Sequence, residues 1–203
     1  MNEEQQYIIE KVCELYKKFG IKSVTMDDVA RELGISKKTL YTHFVDKASL
    51  VKVVIEYDKE KLAREYSAIF QKGLNAIEEM FEVNQFVMNI IRQYSPTIEY
   101  DLKKYYPAIQ QNMQEKKLDN MYNTMLGNLK KGKKEGLYRK KLDEELIAKI
   151  YVTRIESMAQ NHCFNYQELD IKKMLVEMLE YHIRGIASEE GNKVLEDNLK
   201  KMK

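Results

Sequence analysis

The chain has 203 residues, a formal net charge of +2 and 33% charged residues. This length is typical of one or two domains, and a hydrophobic fraction of 44% is ordinary for a globular protein. Only 8 Gly and 2 Pro exclude collagen-like and Pro-rich chains, and 2 Cys cannot form a disulfide framework. The N-terminus lacks a signal-peptide pattern, and no apolar run reaches the ~18 residues of a membrane-spanning helix. We therefore expect a cytoplasmic protein without a membrane partner.

The first part of the chain has the helical spacing of three helices that lead into a longer fourth helix. The first helix carries one apolar stripe, which we expect to be buried: Ile8, Val12, Leu15 and Phe19. Gly20 ends this helix, and Thr25 is the expected N-cap of the second helix. Ser36 caps a short third helix, and the fourth begins at Lys47. We therefore place the first domain at residues 1–47.

The second domain, residues 48–203, has the pattern of longer helices with few breaks. Pro96 and Pro107 each mark a break, because proline interrupts the hydrogen bonds of a helix interior. Two substantial helices follow, each opened by an aspartate N-cap: about 143–162 from Asp143 and about 170–187 from Asp170. We expect the charged tail 188–203 to be only partly ordered. No strand-like alternation is present, so the predicted fold is all-α.

Residues 25–44 have the pattern of a helix-turn-helix. Gly34 permits the backbone angles of the turn, and the small Ala30 lets the two helices approach closely. The second helix of such a unit enters the major groove of DNA, where hydroxyls and cations suit phosphates and the acceptors of guanine. Its exposed face is predicted to carry Ser36, Lys37, Lys38, Thr39, Thr42 and His43. The alternative is a helical hairpin with a solvated polar face.

Many residues of this segment also match a family pattern. They are Phe19-Gly20, Val24-Thr25, Val29-Ala30, Leu33-Gly34-Ile35-Ser36, Thr39-Leu40-Tyr41, His43-Phe44, Lys47 and Leu50. Over about residues 8–50 the chain resembles the N-terminal DNA-binding domain of TetR-type transcriptional regulators. Beyond this segment it is similar to the family only in architecture, because it is all helix, of suitable length, and ends in two long helices.

The resemblance implies a double-stranded DNA operator as partner and assigns roles to individual residues. Thr25 would bind a phosphate through its hydroxyl and backbone N–H together, and Lys47 would hold a phosphate at the start of the fourth helix. Tyr41 and His43 would position the protein on the DNA backbone, and Ser36 completes the candidate set. The residues expected at base edges or nearby phosphates are Lys37, Lys38, Thr39 and Thr42.

Two departures from the family pattern reduce the expected attraction to DNA. Asp27 and Asp28 lie where other members often carry polar or basic residues. The N-terminus also lacks the basic arm that some members lay along DNA. We therefore expect few phosphate contacts per subunit and a moderate salt dependence, at about −0.9 in the slope for each phosphate neutralised.

The larger helical domain is rich in Tyr and Met between residues 94 and 164. Met adapts its shape and Tyr adds a polar tip to an apolar ring, which suits a pocket for a small, largely apolar ligand. An ordinary packed core with surface tyrosines is the alternative. The resemblance favours the pocket, because TetR-type proteins bind inducers in this domain. The candidate pocket residues are Tyr94, Tyr105, Met113, Met121, Tyr122, Met125, Arg154, Met158 and His162.

The last two long helices each carry a stripe at helical spacing. The stripes are Leu146, Ile150, Thr153 and Ser157 on the first, and Ile171, Leu175, Met178, His182 and Ile186 on the second. Two such helices from each of two chains would form a four-helix homodimer interface, as in the family. The alternative is that they complete the core of the monomer. A homodimer matches the two half-sites of a palindromic operator, about 34–36 Å apart.

No motif predicts an enzyme, a metal site or a cofactor. Cys13 and Cys163 have no Cys-x-x-Cys partner for zinc, and no His follows a Glu at the spacing of a di-iron bundle. We expect a TetR-type repressor that a small ligand releases from DNA. The competing interpretation is a helical interaction protein whose C-terminal domain receives a protein partner, with DNA binding constitutive or vestigial.

Overall fold

The structure, a computed structural model, describes three stretches of the chain: residues 2–93, 97–160 and 170–202. The helices in these stretches are α1 (Glu3–Phe19), α2 (Met26–Leu33), α3 (Lys37–His43), α4 (Lys47–Ile69), α5 (Ala76–Gln93), α6 (Thr97–Tyr105), α7 (Pro107–Lys134), α8 (Glu144–Gln160), α9 (Ile171–Ile186) and α10 (Glu189–Met202). The only extended pairing in the same stretches is one bridge between Tyr138 and Ala187. The predicted all-α fold is confirmed. None of the helices in these stretches has both the length and the apolar character needed to cross a membrane.

The chain forms two compact units whose limits differ from the sequence boundary between residues 47 and 48. The first unit contains residues 1–65 and 90–114, and the second contains residues 66–89 and 115–203. The difference arises because α4 begins at Lys47 and continues without a break, so its first turns complete the core of the helices before it. The functional division into residues 1–47 and 48–203 stays a prediction.

One apolar core holds the first unit together. Leu40 of α3 and Leu50 of α4 are fully buried in it, together with residues of α1 and α2. Phe44 is also buried there. Ile98 and Leu102 of α6 pack into the same core, although they lie far from the other members in sequence. The helix-turn-helix therefore depends on α6 for part of its hydrophobic packing.

The predicted buried stripe of α1 is wrong at its last position. Ile8 and Val12 are buried, but Phe19 is 50% exposed. Phe19 is the last residue of the helix, beyond the final layer of the core, and the ammonium of Lys18 lies over its ring at 5.0 Å from the centroid. Tyr16 takes the last core position of α1 instead.

A second apolar core joins α5, α7, α9 and α10 within the second unit. A buried polar network crosses this core. The Asn128 amide donates to the Ala76 carbonyl at 2.8 Å and to Glu79 Oε2 at 3.0 Å, and the Tyr138 hydroxyl donates to Asn128 Oδ1 at 2.9 Å. Lys131 Nζ donates to Glu79 Oε1 at 2.5 Å and neutralises its charge.

The expectation of a partly ordered tail is wrong, because residues 189–202 form α10. Leu195 is fully buried in the second core, and Val194 and Leu199 pack against it. These three apolar residues lie on one face of the helix, which the surrounding charges obscure in the sequence. Gly191 lets α10 approach closely, since a Cβ there would lie 2.0 Å from the Leu137 carbonyl oxygen.

The aspartate caps predicted for the last two long helices are confirmed. The Leu146 N–H donates to Asp143 Oδ1 at 3.0 Å, and the Lys173 N–H donates to Asp170 Oδ1 at 3.1 Å. The break at Pro107 is also confirmed, since α6 ends at Tyr105 and α7 begins at the proline. The break predicted at Pro96 lies outside the described residues.

Candidate nucleic-acid interface and ligand cavity

The start of α2 is a reciprocal capping box between Thr25 and Asp28. The Asp28 N–H donates to the Thr25 hydroxyl at 3.1 Å, while the Thr25 backbone N–H and hydroxyl donate to Asp28 Oδ2 at 2.9 and 2.6 Å. These hydrogen bonds lower the pKa of the Asp28 carboxyl below its usual value. Both groups of Thr25 predicted to bind a phosphate therefore already donate to a carboxylate.

The turn and the start of α3 are held by short-range hydrogen bonds. Gly34 adopts the left-handed conformation at a φ of 66°, which glycine tolerates best. The Ser36 hydroxyl accepts from the Thr39 N–H at 3.0 Å and lies 2.8 Å from the Thr39 hydroxyl. The Thr42 hydroxyl donates to the Thr39 carbonyl at 2.6 Å. The hydroxyls of α3 are thus oriented before any ligand binds.

The two neighbouring lysines of α3 differ in their electrostatic environment. Lys37 Nζ lies 2.8 Å from Asp27 Oδ1 and 3.1 Å from Oδ2, and this pairing raises the pKa of Lys37. Lys38 is exposed and forms no ion pair with any residue that the structure describes. Lys38 therefore presents an uncompensated positive charge, whereas the charge of Lys37 is shared with α2.

The end of α3 carries aromatic and apolar groups. Tyr41 is exposed, and His43 Nε2 lies 3.4 Å from Glu4 Oε2 of α1. Val45, between α3 and α4, is 85% exposed, and the sequence interpretation did not include it. The sequence carries a signal for this exposure, because Leu40 and Phe44 are four residues apart on the buried face and Val45 does not share their spacing.

Lys47, the first residue of α4, is only partly exposed. Its Nζ donates to the Lys22 carbonyl at 3.2 Å. Burial lowers the pKa of Lys47, although the carboxylates of Asp101 and Asp28 act in the opposite direction. The ammonium thus binds the segment between α1 and α2.

The second unit contains a cavity of about 300 Å³. It is lined by residues of α4, α5, α7, α8 and α9, together with Phe70 just after α4. Most of its wall is apolar, including Phe70, Met80, Met121, Met125, Ile155 and Met178. The polar residues that line it are Tyr66, Asn84, Lys117, Thr124, Asn128, Tyr151 and Arg154. An apolar cavity with a few polar groups is the usual form of a small-molecule site.

Two polar groups at this wall have atoms without a hydrogen-bond partner among the described residues. Arg154 Nε is buried without a hydrogen-bond partner, and the guanidinium carbon lies 5.6 Å from the centroid of the Tyr151 ring. The Asn84 amide donates to the Leu175 carbonyl at 2.9 Å, but its Oδ1 is unpartnered. Behind the wall, His182 packs 4.9 Å from Tyr151, between ring centroids. Burial and the nearby guanidinium lower the pKa of His182 to about 4.

Comparison with known proteins identifies the family that the N-terminal segment resembles. Residues 8–54 match the family model described as bacterial regulatory proteins, tetR family. This segment of the chain is thus similar to the TetR family. The chain is 32% identical over 101 residues to an HTH-type transcriptional regulator of Staphylococcus aureus (strain USA300), an alignment that covers 50% of each chain. The chain thus spans about half the length of the curated relatives it matches.

Solved structures of other regulators have the same fold as this chain. A transcriptional regulator from Cytophaga hutchinsonii gives a TM-score of 0.76 at 17% identity, covering 92% of this chain and 100% of that one. A regulator from Saccharomonospora viridis, solved in complex with choline, gives 0.66 at 17% identity, covering 93% and 100%. The relatives that match are described as transcriptional regulators, in line with the prediction that the chain is not an enzyme.

The candidate pocket residues fall into three groups. Met121, Met125 and Arg154 line the cavity. Tyr105 lies in the first unit, where Lys22 Nζ is 5.2 Å from its ring centroid, and Tyr122 and Met158 belong to the second unit but not to the cavity lining. Tyr94 and His162, and the side chain of Met113, lie outside the described residues.

The sequence interpretation missed much of the cavity wall. Tyr66 and Asn84 belong to helices outside the Tyr- and Met-rich segment on which the prediction was based. Leu175 and Met178 were assigned to a dimer stripe instead, yet they line the cavity. A usable signal was the apolar face of α5, where Met80, Val83 and Val87 are spaced three and four residues apart.

Proposed function

We propose that this protein is a DNA-binding transcriptional regulator that binds a palindromic operator as a homodimer and is released by a small ligand. The observation that carries the proposal is the exposed face of α3, where Lys38, which has no ion pair among the described residues, lies beside preoriented hydroxyls within a helix-turn-helix. The family match over residues 8–54 includes this face. Such a face suits the major groove, where cations and hydroxyls meet phosphates and guanine acceptors.

The individual residues of this surface would contribute unequally to DNA binding. Lys38 offers a full charge, whereas Lys37 must first release Asp27. Thr25 would bind a phosphate only if its donors leave Asp28, so its contribution is smaller than the family pattern implies. Lys47 is partly buried and gains from a phosphate, because an anion offsets the lost hydration that lowers its pKa.

The proposed homodimer forms through α8 and α9. Leu146 and Ile150 of α8 are 53% and 54% exposed, and Thr153 and Ser157 of the same stripe are also exposed. Leu146 and Ile150 are therefore accessible to a second copy. The stripe of α9 behaves differently, because His182 and Ile186 are buried in the core of the second unit. Exposed Tyr181 is the apolar group that α9 would add to the interface.

Release by a ligand would follow a two-state mechanism. A ligand in the cavity favours a conformation in which the paired α3 helices no longer match the two half-sites. Helix α4 supports this coupling, because it carries Lys47 at its start and Tyr66, which lines the cavity, near its end. A solved structure of the same fold contains choline, which supports a ligand role for this type of domain.

Fluorescence anisotropy tests DNA binding by the full chain. Labelled DNA from upstream of the protein's own gene is titrated at two salt concentrations, with unrelated DNA as competitor. We expect saturable, competitor-resistant binding by two subunits per site. Binding equal to that of unrelated DNA would contradict the operator and favour the interaction-protein alternative.

Three lysine substitutions make the same test residue-specific. Lys47→Ala should weaken binding to all DNA and reduce the salt slope by about 1, whereas Lys38→Ala should relax the preference at one base position. Lys200→Ala, on α10, removes the same charge from the second unit and should change neither property. If Lys47→Ala behaves like Lys200→Ala, the phosphate role of Lys47 is wrong.

A further inference from the structure

The charged residues that line the cavity of the second unit are both cations. Arg154 and Lys117 line it, and no described Asp or Glu is part of the lining. The remaining polar groups of the wall are amides and hydroxyls, which carry no net charge. Lys117 is exposed, so Arg154 is the less hydrated of the two cations. A ligand in this cavity therefore meets positive charge and no compensating carboxylate from the described wall.

The guanidinium of Arg154 has no anionic partner within residues 2–93, 97–160 and 170–202. Among the described residues, no carboxylate lies within 4 Å of it, and its Nε has no hydrogen-bond partner. A cation removed from water without a counter-ion is costly, and a bound anion would offset that cost. Arginine is well suited to this task, because its planar fork binds a carboxylate through two parallel hydrogen bonds.

The neighbouring titratable groups cannot supply this anion. Glu79, the buried carboxylate of α5, already accepts from Lys131 at 2.5 Å and from Asn128 at 3.0 Å. His182 adds no negative charge in either protonation state, and its Nε2 is buried without a partner. The anion that pairs with Arg154 must therefore come from outside the described residues of this unit.

The volume and the wall limit the rest of the ligand. A cavity of about 300 Å³ holds about ten water-sized groups, at roughly 30 Å³ each. Four methionines line it: Met80, Met121, Met125 and Met178. Methionine side chains adapt to flexible apolar groups, so the wall suits a short aliphatic chain.

We propose that the cavity binds an amphipathic carboxylate of about ten non-hydrogen atoms, whose head pairs with Arg154 and whose apolar tail lies among the methionines. One part of this inference rests on the proposed function, namely that such a carboxylate is the ligand that releases the protein from DNA. Binding itself depends on the cavity alone. A cationic ligand of similar size is excluded by the same charge pattern.

Isothermal titration calorimetry on the full chain tests the head group. Octanoate, 1-octanol and octylammonium have similar tails and carry negative, zero and positive charge. We expect octanoate to bind about 10- to 100-fold more tightly than octanol, as for a hydrogen-bonded ion pair, and octylammonium to bind more weakly than either. Equal affinity for octanoate and octanol, or no binding of octanoate, would overturn the proposal.

Arg154→Met separates the ion pair from general apolar binding. This variant should bind octanoate and octanol with similar affinity, because the tail contacts remain and the charge is lost. The matched variant Lys117→Met removes the other cation of the lining and should keep most of the preference for octanoate. An unchanged preference in Arg154→Met would contradict the role of this residue, whatever its effect on stability.

The protonation state of the ligand gives a second measurement. In ¹³C spectra of carboxyl-labelled octanoate, the bound head should stay ionised to lower pH with the natural protein than with Arg154→Met. DNA binding is followed in the same samples. Octanoate bound at Arg154 without loss of DNA affinity would support the site and contradict ligand release. Release of DNA by octanol and octanoate alike would support ligand release and contradict the carboxylate site.

Discussion

The exposed surface of the helix-turn-helix (the α2–α3 surface, residues 25–43) and the buried polar network around Glu79 in the second unit satisfy their polar groups in opposite ways. At the surface, Thr25 binds Asp28 and Ser36 binds Thr39, each three residues along the chain. In the second unit, Glu79 binds Lys131 across 52 residues of sequence. The surface contacts are exposed and local, whereas the network contacts are long-range and include a buried carboxylate.

This difference separates binding from stability. An exposed ion pair is screened by water and contributes little to the folded state, so its residues are free to change partner when DNA arrives. A buried carboxylate that loses its cation is left without compensation, so the network cannot change partner without a large cost. We therefore expect substitutions at the surface to alter DNA binding and substitutions in the network to alter unfolding.

The largest expected effect is that of Lys131→Met. Removing this ammonium leaves the buried Glu79 carboxylate unpaired, and the free energy of unfolding should fall by about 4 kcal/mol. Adding Glu79→Gln should recover part of the loss. Lys37→Met, which breaks the exposed pair with Asp27, should cost less than about 1 kcal/mol. Urea denaturation followed by circular dichroism measures all three, and equal losses for the two lysine variants would remove the contrast.

A second substitution tests the packing of the same region. A Cβ at Gly132 would lie 2.1 Å from Cδ2 of the buried Tyr138 ring, so Gly132→Ala should lower the unfolding free energy by about 3 kcal/mol. Gly127 lies on the same helix and a Cβ there meets nothing within 4 Å. Gly127→Ala should raise stability by about 1 kcal/mol, because alanine has the better helix propensity. Thermal melts that move both variants in the same direction would contradict this packing.

The second unit should also carry a pH dependence of stability. Folding lowers the pKa of His182 from an ordinary 6.5 to about 4, so the unfolded chain takes up the proton first as the pH falls. The contribution of His182 is complete above pH 6.5 and is lost between there and about pH 4. Burial keeps this imidazole neutral, and the charge of Arg154 adds to the effect, while the Tyr151 ring packs 4.9 Å away between ring centroids.

The substitution His182→Phe isolates the part of this pH dependence that comes from His182. As the pH falls from 7 to 5, the free energy of unfolding should fall by about 2 kcal/mol less in the variant than in the natural protein. Other carboxylates titrate in both proteins, and their effects cancel in the difference. Parallel stability curves for the two proteins over this range would contradict the assignment.

The smallest effect is expected at the surface. Asp27→Asn frees Lys37 and removes a negative charge near the proposed phosphates, so affinity for DNA should rise about threefold, consistent with the modest energy of an exposed pair. Asp197→Asn breaks a similar exposed pair, with Lys200, and should leave DNA affinity unchanged. Anisotropy titrations compare the two variants, and a weaker complex with Asp27→Asn would show that Asp27 assists binding.

The same contrast explains how far the sequence alone predicts this molecule. The caps at Asp143 and Asp170 were predictable because each acts on a residue three positions away. The exposure of Phe19 and the helix at 189–202 were not, since they depend on where the core ends and on partners distant in sequence.

The candidate sites follow the same rule. Arg154 was in the predicted pocket set, but nothing near it in the sequence indicates that it lacks a described carboxylate partner. Tyr105 has the same chemistry as the tyrosines of the cavity wall, yet the fold places it beside Lys22. Residue type suggests a pocket residue, and only the packing of distant helices selects among the candidates.

The contribution of α6 to the first unit has a consequence for chimeric regulators. The Lys22 N–H donates to Asp101 at 2.8 Å, and Ile98 and Leu102 fill part of the core formed by α1–α4. A graft that transfers only residues 1–47 to another protein would leave part of its apolar core exposed. It would also leave the Lys22 N–H without its acceptor, Asp101. A transferable DNA-binding module of this chain must include α6, or the recipient must supply a helix with the same three side chains.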